Sequence, residues 1–187
     1  MPFPIEQQQQ DQWCWDAVSD SVDHYFNPNS TLNQCRVAQQ VLATDADCCN
    51  NPGADACNRT EKLQVALGDL GRLNKTLVMP SDCVGTPFGS LNDFAGIKSE
   101  IDNGRPVGVR IQWFGGTKGH FVVICAYKEF ASGFRTVDIA DPFYGELIGD
   151  EYFGIWTIDF DQFPAAYQGG GDWTATFLVK AKPGELQ

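Results

Sequence analysis

The hydrophobic period of this chain changes once, and the change divides the sequence into two kinds of structure. Up to about residue 103, apolar residues recur every three or four positions, the spacing of one helix face. From Val107 onward they alternate or run continuously, as in strands half or wholly buried in a sheet. Trp15, Val18, Val22, Tyr25 and Phe26 mark a first helix over Trp13 to Phe26. Asn27-Pro28 ends it, because a residue before proline avoids the α region. A second helix carries Leu32, Cys35, Ala38 and Val41 behind Ser30 or Thr31 as cap. A third carries Leu63, Ala66, Leu67 and Leu70 behind Thr60, with Gly71 past its end. Ser90-Leu91-Asn92-Asp93 reads as an acidic capping box opening a fourth helix, with Phe94, Ile97 and Ile101 inward and a stop near Gly104. Strands are expected over Val107 to Trp113, His120 to Tyr127, Arg135 to Ala140, roughly Tyr152 to Asp159, and Trp173 to Ala181. A short helix is expected between the last two, near Asp161 to Tyr167. Helices first and antiparallel strands second define an α+β fold. The 187 residues read as one domain, 1–187, with a helical lobe over about 12–103 and a sheet lobe over about 104–182.

Composition narrows the function. Asp and Glu number 24 against 13 Lys and Arg, a net charge of −11, so nucleic acid is not the expected partner. No run of about 18 apolar residues exists, and no membrane partner is expected. Met1 to Gln10 is polar and ends in a glutamine run, without the apolar core of a secretory signal. Seven cysteines are many for a cytosolic domain. Cys35, Cys48, Cys49 and Cys57 crowd around a segment, Asp45 to Asn58, that reads as a stapled loop. Adjacent Cys48 and Cys49 are poorly placed to bond each other, so Cys35 and Cys57 are their natural partners, in either pairing. No CxxC spacing occurs, so no structural metal site is expected. The cluster points to an exported protein and the polar start to a cytoplasmic one, so localisation stays open.

Chemistry near neutral pH most often needs a histidine, and there are two. His24 lies ten residues after Cys14 on one helix, roughly 15 Å along the axis, and cannot activate that thiol. His120 opens an apolar strand directly after a glycine-bearing loop, where a strand end can face a cleft or serve structure alone. Cys14 falls in the first turn of the first helix, where partial positive charge and free N–H groups favour a thiolate. It could equally be a half-cystine or a core thiol. Asp141 ends a strand before Pro142, either as a turn starter or as an acceptor that holds a histidine tautomer.

Gln12-Trp13-Cys14-Trp15 behind a glutamine-rich stretch, Gly119-His120-Phe121-Val122-Val123 and Asp141-Pro142 together resemble the bacterial papain-like cysteine peptidases, the group of staphopain-like effectors and C39-like peptidases. Gln34-Cys35-Arg36-Val37-Ala38, Gly104-Arg105-Pro106-Val107 and Phe143-Tyr144-Gly145 extend the resemblance over about residues 5 to 180. It implies a two-lobed papain-like fold and cleavage of peptide or isopeptide bonds through a thioester acyl-enzyme. By the same resemblance Cys14 is the nucleophile, His120 the base and then acid, Asp141 the orienter and Gln8 the oxyanion donor. Gln8 stands in a glutamine run, so a neighbouring glutamine competes for that role. One departure is Asp16, where the family has a small residue; a helix turns about 200° over two residues, so it should point away from the sulfur. No cofactor is implied, the partner is a peptide or protein substrate, and a monomer is the simplest state. The same triad also serves acyl transfer or deamidation, and a non-catalytic binding module is the reading from another class.

Overall fold

A computed structural model describes residues 3–78, 94–144, 146–148 and 151–185. Helix α1 (Cys14–Phe26) is followed by α2 (Gln34–Val41), α3 (Leu63–Asp69), strand β1 (Leu73–Val78) and α4 (Phe94–Asp102). Then come β2 (Val107–Trp113), β3 (Gly119–Glu129), β4 (Arg135–Ala140), a hairpin β5–β6 (Glu146–Ile148, Glu151–Phe153), β7 (Ile155–Asp159) and β8 (Gly171–Val179). The fold is α+β: helices dominate the N-terminal part, and a six-stranded antiparallel sheet in the order β1-β8-β2-β3-β4-β7 dominates the C-terminal part. Among the described residues no helix is long and apolar enough to cross a membrane.

The sheet separates two cores. On one side α1, α2 and α3 pack Trp15, Val18, Val22, Val37 and Leu67 against Phe121, Val123 and Phe177. On the other, Phe94 and Ile97 of α4 join Val109, Ile111, Val122, Ile124 and Trp173. Residues 121 and 123 thus face one core and 122 and 124 the other, as the two-residue period of a strand requires. This is why β3 reads as apolar on both faces. Helix α1 lies against α3, β3 and α2 and is buried nearly all round, including Asp16, Ser19, Asp20, Ser21 and Asp23.

Several local readings change. Asn33, not Ser30 or Thr31, caps α2, its side chain accepting from Arg36 N at 3.1 Å. Lys62 precedes α3 with no side-chain cap, so Thr60 does not serve there. The capping box Ser90 to Asp93 lies outside the described residues. Gly154, at φ 124°, breaks the expected strand over Tyr152 to Asp159 into β6 and β7. The helix expected near Asp161 to Tyr167 is one 3-10 turn, Phe160–Gln162, followed by turns. Strand β1 was not legible: it is a sheet edge on β8 without alternating burial, so its residues carry no two-residue period. The sheet therefore borrows a strand from the helical half.

Cys35 bonds Cys49, with Cα atoms 4.8 Å apart, and Cys48 bonds Cys57 at 5.4 Å. The stapled loop is joined to the start of α1. Trp13 Nε1 donates to Cys57 O at 2.8 Å, Trp15 Nε1 to Arg59 O at 3.1 Å, and Gln12 N to Asn58 Oδ1 at 3.2 Å. The two indoles flanking Cys14 are thus pinned by a loop that disulfides hold in shape.

Candidate active site

Cys14 is the first residue of α1, and the preceding Trp13 provides no side-chain cap. Asp16 N donates to Trp13 O at 3.0 Å, but the N–H groups of Cys14 and Trp15 precede the first intrahelical bond and can meet an anion. Cys14 and His120 line the same cleft, about 1060 Å³ in volume, together with Gln8, Trp15, Trp113 and Phe143. A groove of that size accepts several residues of an extended chain. Cys14 is one of two free cysteines among the described residues. The other, Cys125, packs against the helical-side core, and burial pushes its thiol up to about 12, so it carries little thiolate near neutral pH.

His120 enters the cleft at the start of β3, just after Gly119. A side chain at Gly119 would collide with the Arg110 guanidinium at 2.7 Å and Ile111 O at 2.9 Å, so only glycine fits the turn before the histidine. Trp113 stacks on the imidazole with ring centroids 5.9 Å apart. His120 Nε2 lies 2.7 Å from Asp141 Oδ1. With Nε2 engaged by Asp141, Nδ1 is the ring nitrogen left to exchange a proton within the cleft that Cys14 also lines. Burial alone would lower the His120 pKa; the bonds and charges of Asp141 and Cys14 outweigh it and raise it to about 10.

Asp141 is fully buried and has four donors. His120 Nε2 and Phe143 N (2.8 Å) share Oδ1, while Tyr167 Oη (2.6 Å) and Gln168 Nε2 (3.0 Å) share Oδ2. Burial would raise its pKa, but His120, Tyr167 and the Phe143 N–H together hold it below the usual carboxylate range. Its own N–H donates to Gly154 O at 2.7 Å, which fixes the turn at the end of β4. Tyr167 and Gln168 are site residues that sequence reasoning missed. Gln168 holds φ 51°, a left-handed value uncommon outside glycine, just before three glycines. A non-glycine residue abutting a glycine run was the only trace of it in the sequence.

Gln8 lines the cleft, held there by its backbone N–H on Pro142 O at 2.8 Å. Its Nε2 donates one proton to Gln10 O at 2.9 Å. His24 lies toward the far end of α1, half-buried, with Nδ1 at 2.8 Å from Glu6 Oε1. Asp16 is fully buried and is not part of the cleft lining. Burial first, then the charges of Asp20 and Glu6, raise its carboxyl well above the usual range.

A helical unit that presents a thiol at a helix start, facing a sheet that presents a histidine backed by a buried carboxylate, is the arrangement of a thiol-dependent acyl-transfer site. The Peptidase_C39 like family model matches residues 1–169. The chain belongs to this family of cysteine peptidases. Among solved structures it is similar to the bromelain protease from Ananas comosus in complex with the E64 inhibitor, at 12% identity and a TM-score of 0.47, covering 97% of this chain and 94% of that one. No curated protein matches the chain.

Proposed function

We propose that the protein is a papain-like cysteine peptidase, of the staphopain-like kind, that cleaves peptide or isopeptide bonds through a thioester on Cys14. The observation that supports this best is the convergence on one cleft of an uncapped helix N-terminus bearing a free thiol and a histidine held by a fully bonded aspartate. In this reading His120 takes the Cys14 proton, and the thiolate attacks the scissile carbonyl. The oxyanion is received by the Cys14 backbone N–H and the second N–H of Gln8 Nε2. The imidazolium donates its proton to the leaving amine, which departs and leaves the thioester. His120 then takes a proton from the water that hydrolyses it, and Cys14 is regenerated. Asp141 stays ionised throughout and holds the ring with Nδ1 toward the sulfur.

Incubation with a diverse peptide library, read by product mass, tests the reading. Pairs of fragments that sum to a substrate plus one water are expected, and they should vanish in Cys14→Ala. Intact peptides altered only by deamidation, or joined to one another, would instead assign the site to deamidation or transfer. No thiol-dependent product at all would leave a binding module.

A further inference from the structure

Asp16, Asp20 and His24 recur every four residues along α1, so they share one stripe of the helix. Glu6, in the segment preceding the helix, crosses that stripe. Its N–H donates to Ser21 Oγ at 3.0 Å, and its Oε1 lies 2.8 Å from His24 Nδ1. Ligand atoms of Glu6, Asp20 and His24 lie within 4.8 Å of one another. Asp16 and Asp20 are both fully buried, and no oxygen of either carboxyl has a hydrogen-bond partner. His24 Nδ1 stands 3.8 Å from Asp20 Oδ1, beyond hydrogen-bond length.

Asp23, on the same helix, shows what the chain does elsewhere with a buried carboxylate. It accepts from Arg72 Nε at 2.6 Å and Ser30 Oγ at 2.6 Å, and Lys182 Nζ lies at 3.3 Å. Two cations are supplied there, Arg72 being shared with Glu185. Asp16 has no cation beside it among the described residues and Asp20 has only the His24 ring at 3.8 Å, although a buried carboxylate without a close partner is strongly unfavourable. The carboxyl groups of Glu6 and Asp20 face one imidazole, and Asp16 adds a third acidic group one turn from Asp20, a deficit of positive charge that a dication fills.

We propose that Glu6, Asp20 and His24, with Asp16 behind them, bind a divalent first-row metal ion of the Zn²⁺ or Mn²⁺ class. The donor set decides the class. Carboxylates accept most divalent ions, but an imidazole ligand selects against Ca²⁺ and Mg²⁺, which favour oxygen alone. Two donors about 2.1 Å from one ion lie about 3.4 Å apart in a tetrahedron and at most about 4.2 Å apart, so a pair at the 4.8 Å limit closes by roughly 0.6 to 1.4 Å on binding. His24 exchanges its bond to Glu6 for the ion, and any proton it carries on the ligating nitrogen leaves to solvent. The ion ties the segment that carries Gln8 to the helix that carries Cys14.

The test uses the full chain with Cys14→Ala, so that the cleft thiol cannot bind the metal. After chelator treatment and dialysis, Zn²⁺ and Mn²⁺ are titrated, with Ca²⁺ and Mg²⁺ as controls, and Tm and bound metal per chain are measured. One bound ion per chain and a saturable rise in Tm are expected with the first-row ions. Asp20→Asn should weaken binding by about tenfold or more. Glu6→Gln, at a half-exposed position that does not endanger folding, should weaken it too. No saturable Tm shift with any first-row ion, or binding unaltered in both variants, overturns the proposal. So does a metal-indifferent parent whose Tm rises with Asp20→Asn, because the carboxyls would then be held neutral by protons.

Discussion

Tyr167 and His120 grip opposite oxygens of one carboxylate. The Tyr167 hydroxyl lies 2.6 Å from Asp141 Oδ2 and the His120 ring 2.7 Å from Asp141 Oδ1. The carboxylate cannot rotate without breaking both bonds, so the imidazole plane is set by a residue 26 positions beyond the aspartate. This makes Tyr167 a positioning residue for the reaction proposed above.

Tyr167→Phe keeps the ring, which packs on Phe163 at 5.8 Å, and removes only the hydroxyl. Loss of one bond to a charged group is expected to lower kcat by about tenfold with KM unchanged, the equivalent of about 1.5 kcal/mol. Steady-state kinetics on a cleaved peptide check this. A rise in KM with kcat intact would show that Tyr167 shapes the substrate groove instead.

Cys14→Ala should fold normally and lose at least about 10³-fold in activity, and His120→Ala should be as damaging. Asp141→Ala should be milder in kcat, since an orienting group contributes less than those that exchange protons. It should cost more stability, because it strands the donors of Tyr167 and Gln168. Circular dichroism melts beside kinetics separate the two effects. Turnover near that of the parent in Cys14→Ala would remove the nucleophile assignment.

The His120 pKa, raised from 6.5 to about 10, makes a stability prediction. A raised pKa means that the folded chain holds the proton more tightly, so the stabilisation is complete below pH 6.5. It is lost as pH rises through about 10. Asp141, with its pKa lowered, contributes in the other direction: its share is present above 3.8 and is lost as pH falls below that value. Tm measured across this range should therefore fall on the alkaline side more steeply in the parent than in His120→Gln. Parallel curves for the two proteins would count against the charged pair.

Non-reducing mass analysis should find Cys35 with Cys49 and Cys48 with Cys57, while Cys14 alkylates first in the native protein. Loops closed over 14 and 9 residues stabilise by about 3 kcal/mol each in the chain-entropy account. Mild reduction should lower Tm and, because Cys57 and Arg59 hold the indoles beside Cys14, lower activity as well. Native protein in which all four alkylate without reductant would contradict the pairing.

Much of the fold and the site candidates were legible in residue order alone. The change of hydrophobic period near residue 104 separates helices from strands because both patterns act over a few residues. Cys14, His120 and Asp141 stand out because few residue types can exchange protons or attack a carbonyl near neutral pH. Adjacency makes Cys48 and Cys49 poor partners for each other, but only the folded loop settles which of them meets Cys35. Tyr167 and Gln168 could not be read, since a phenol and an amide in a loop become positioning groups only where a buried carboxylate accepts from them. Strand β1 could not be read either, because its place is decided by β8, about one hundred residues away. Nor could the burial of Asp16 and Asp20. Helical spacing puts them on one stripe, but what covers that stripe depends on how the Glu6 segment crosses the helix. Local pattern is written in neighbours along the chain. Burial and partnership depend on segments that meet only once the entropy of closing long loops has been overcome.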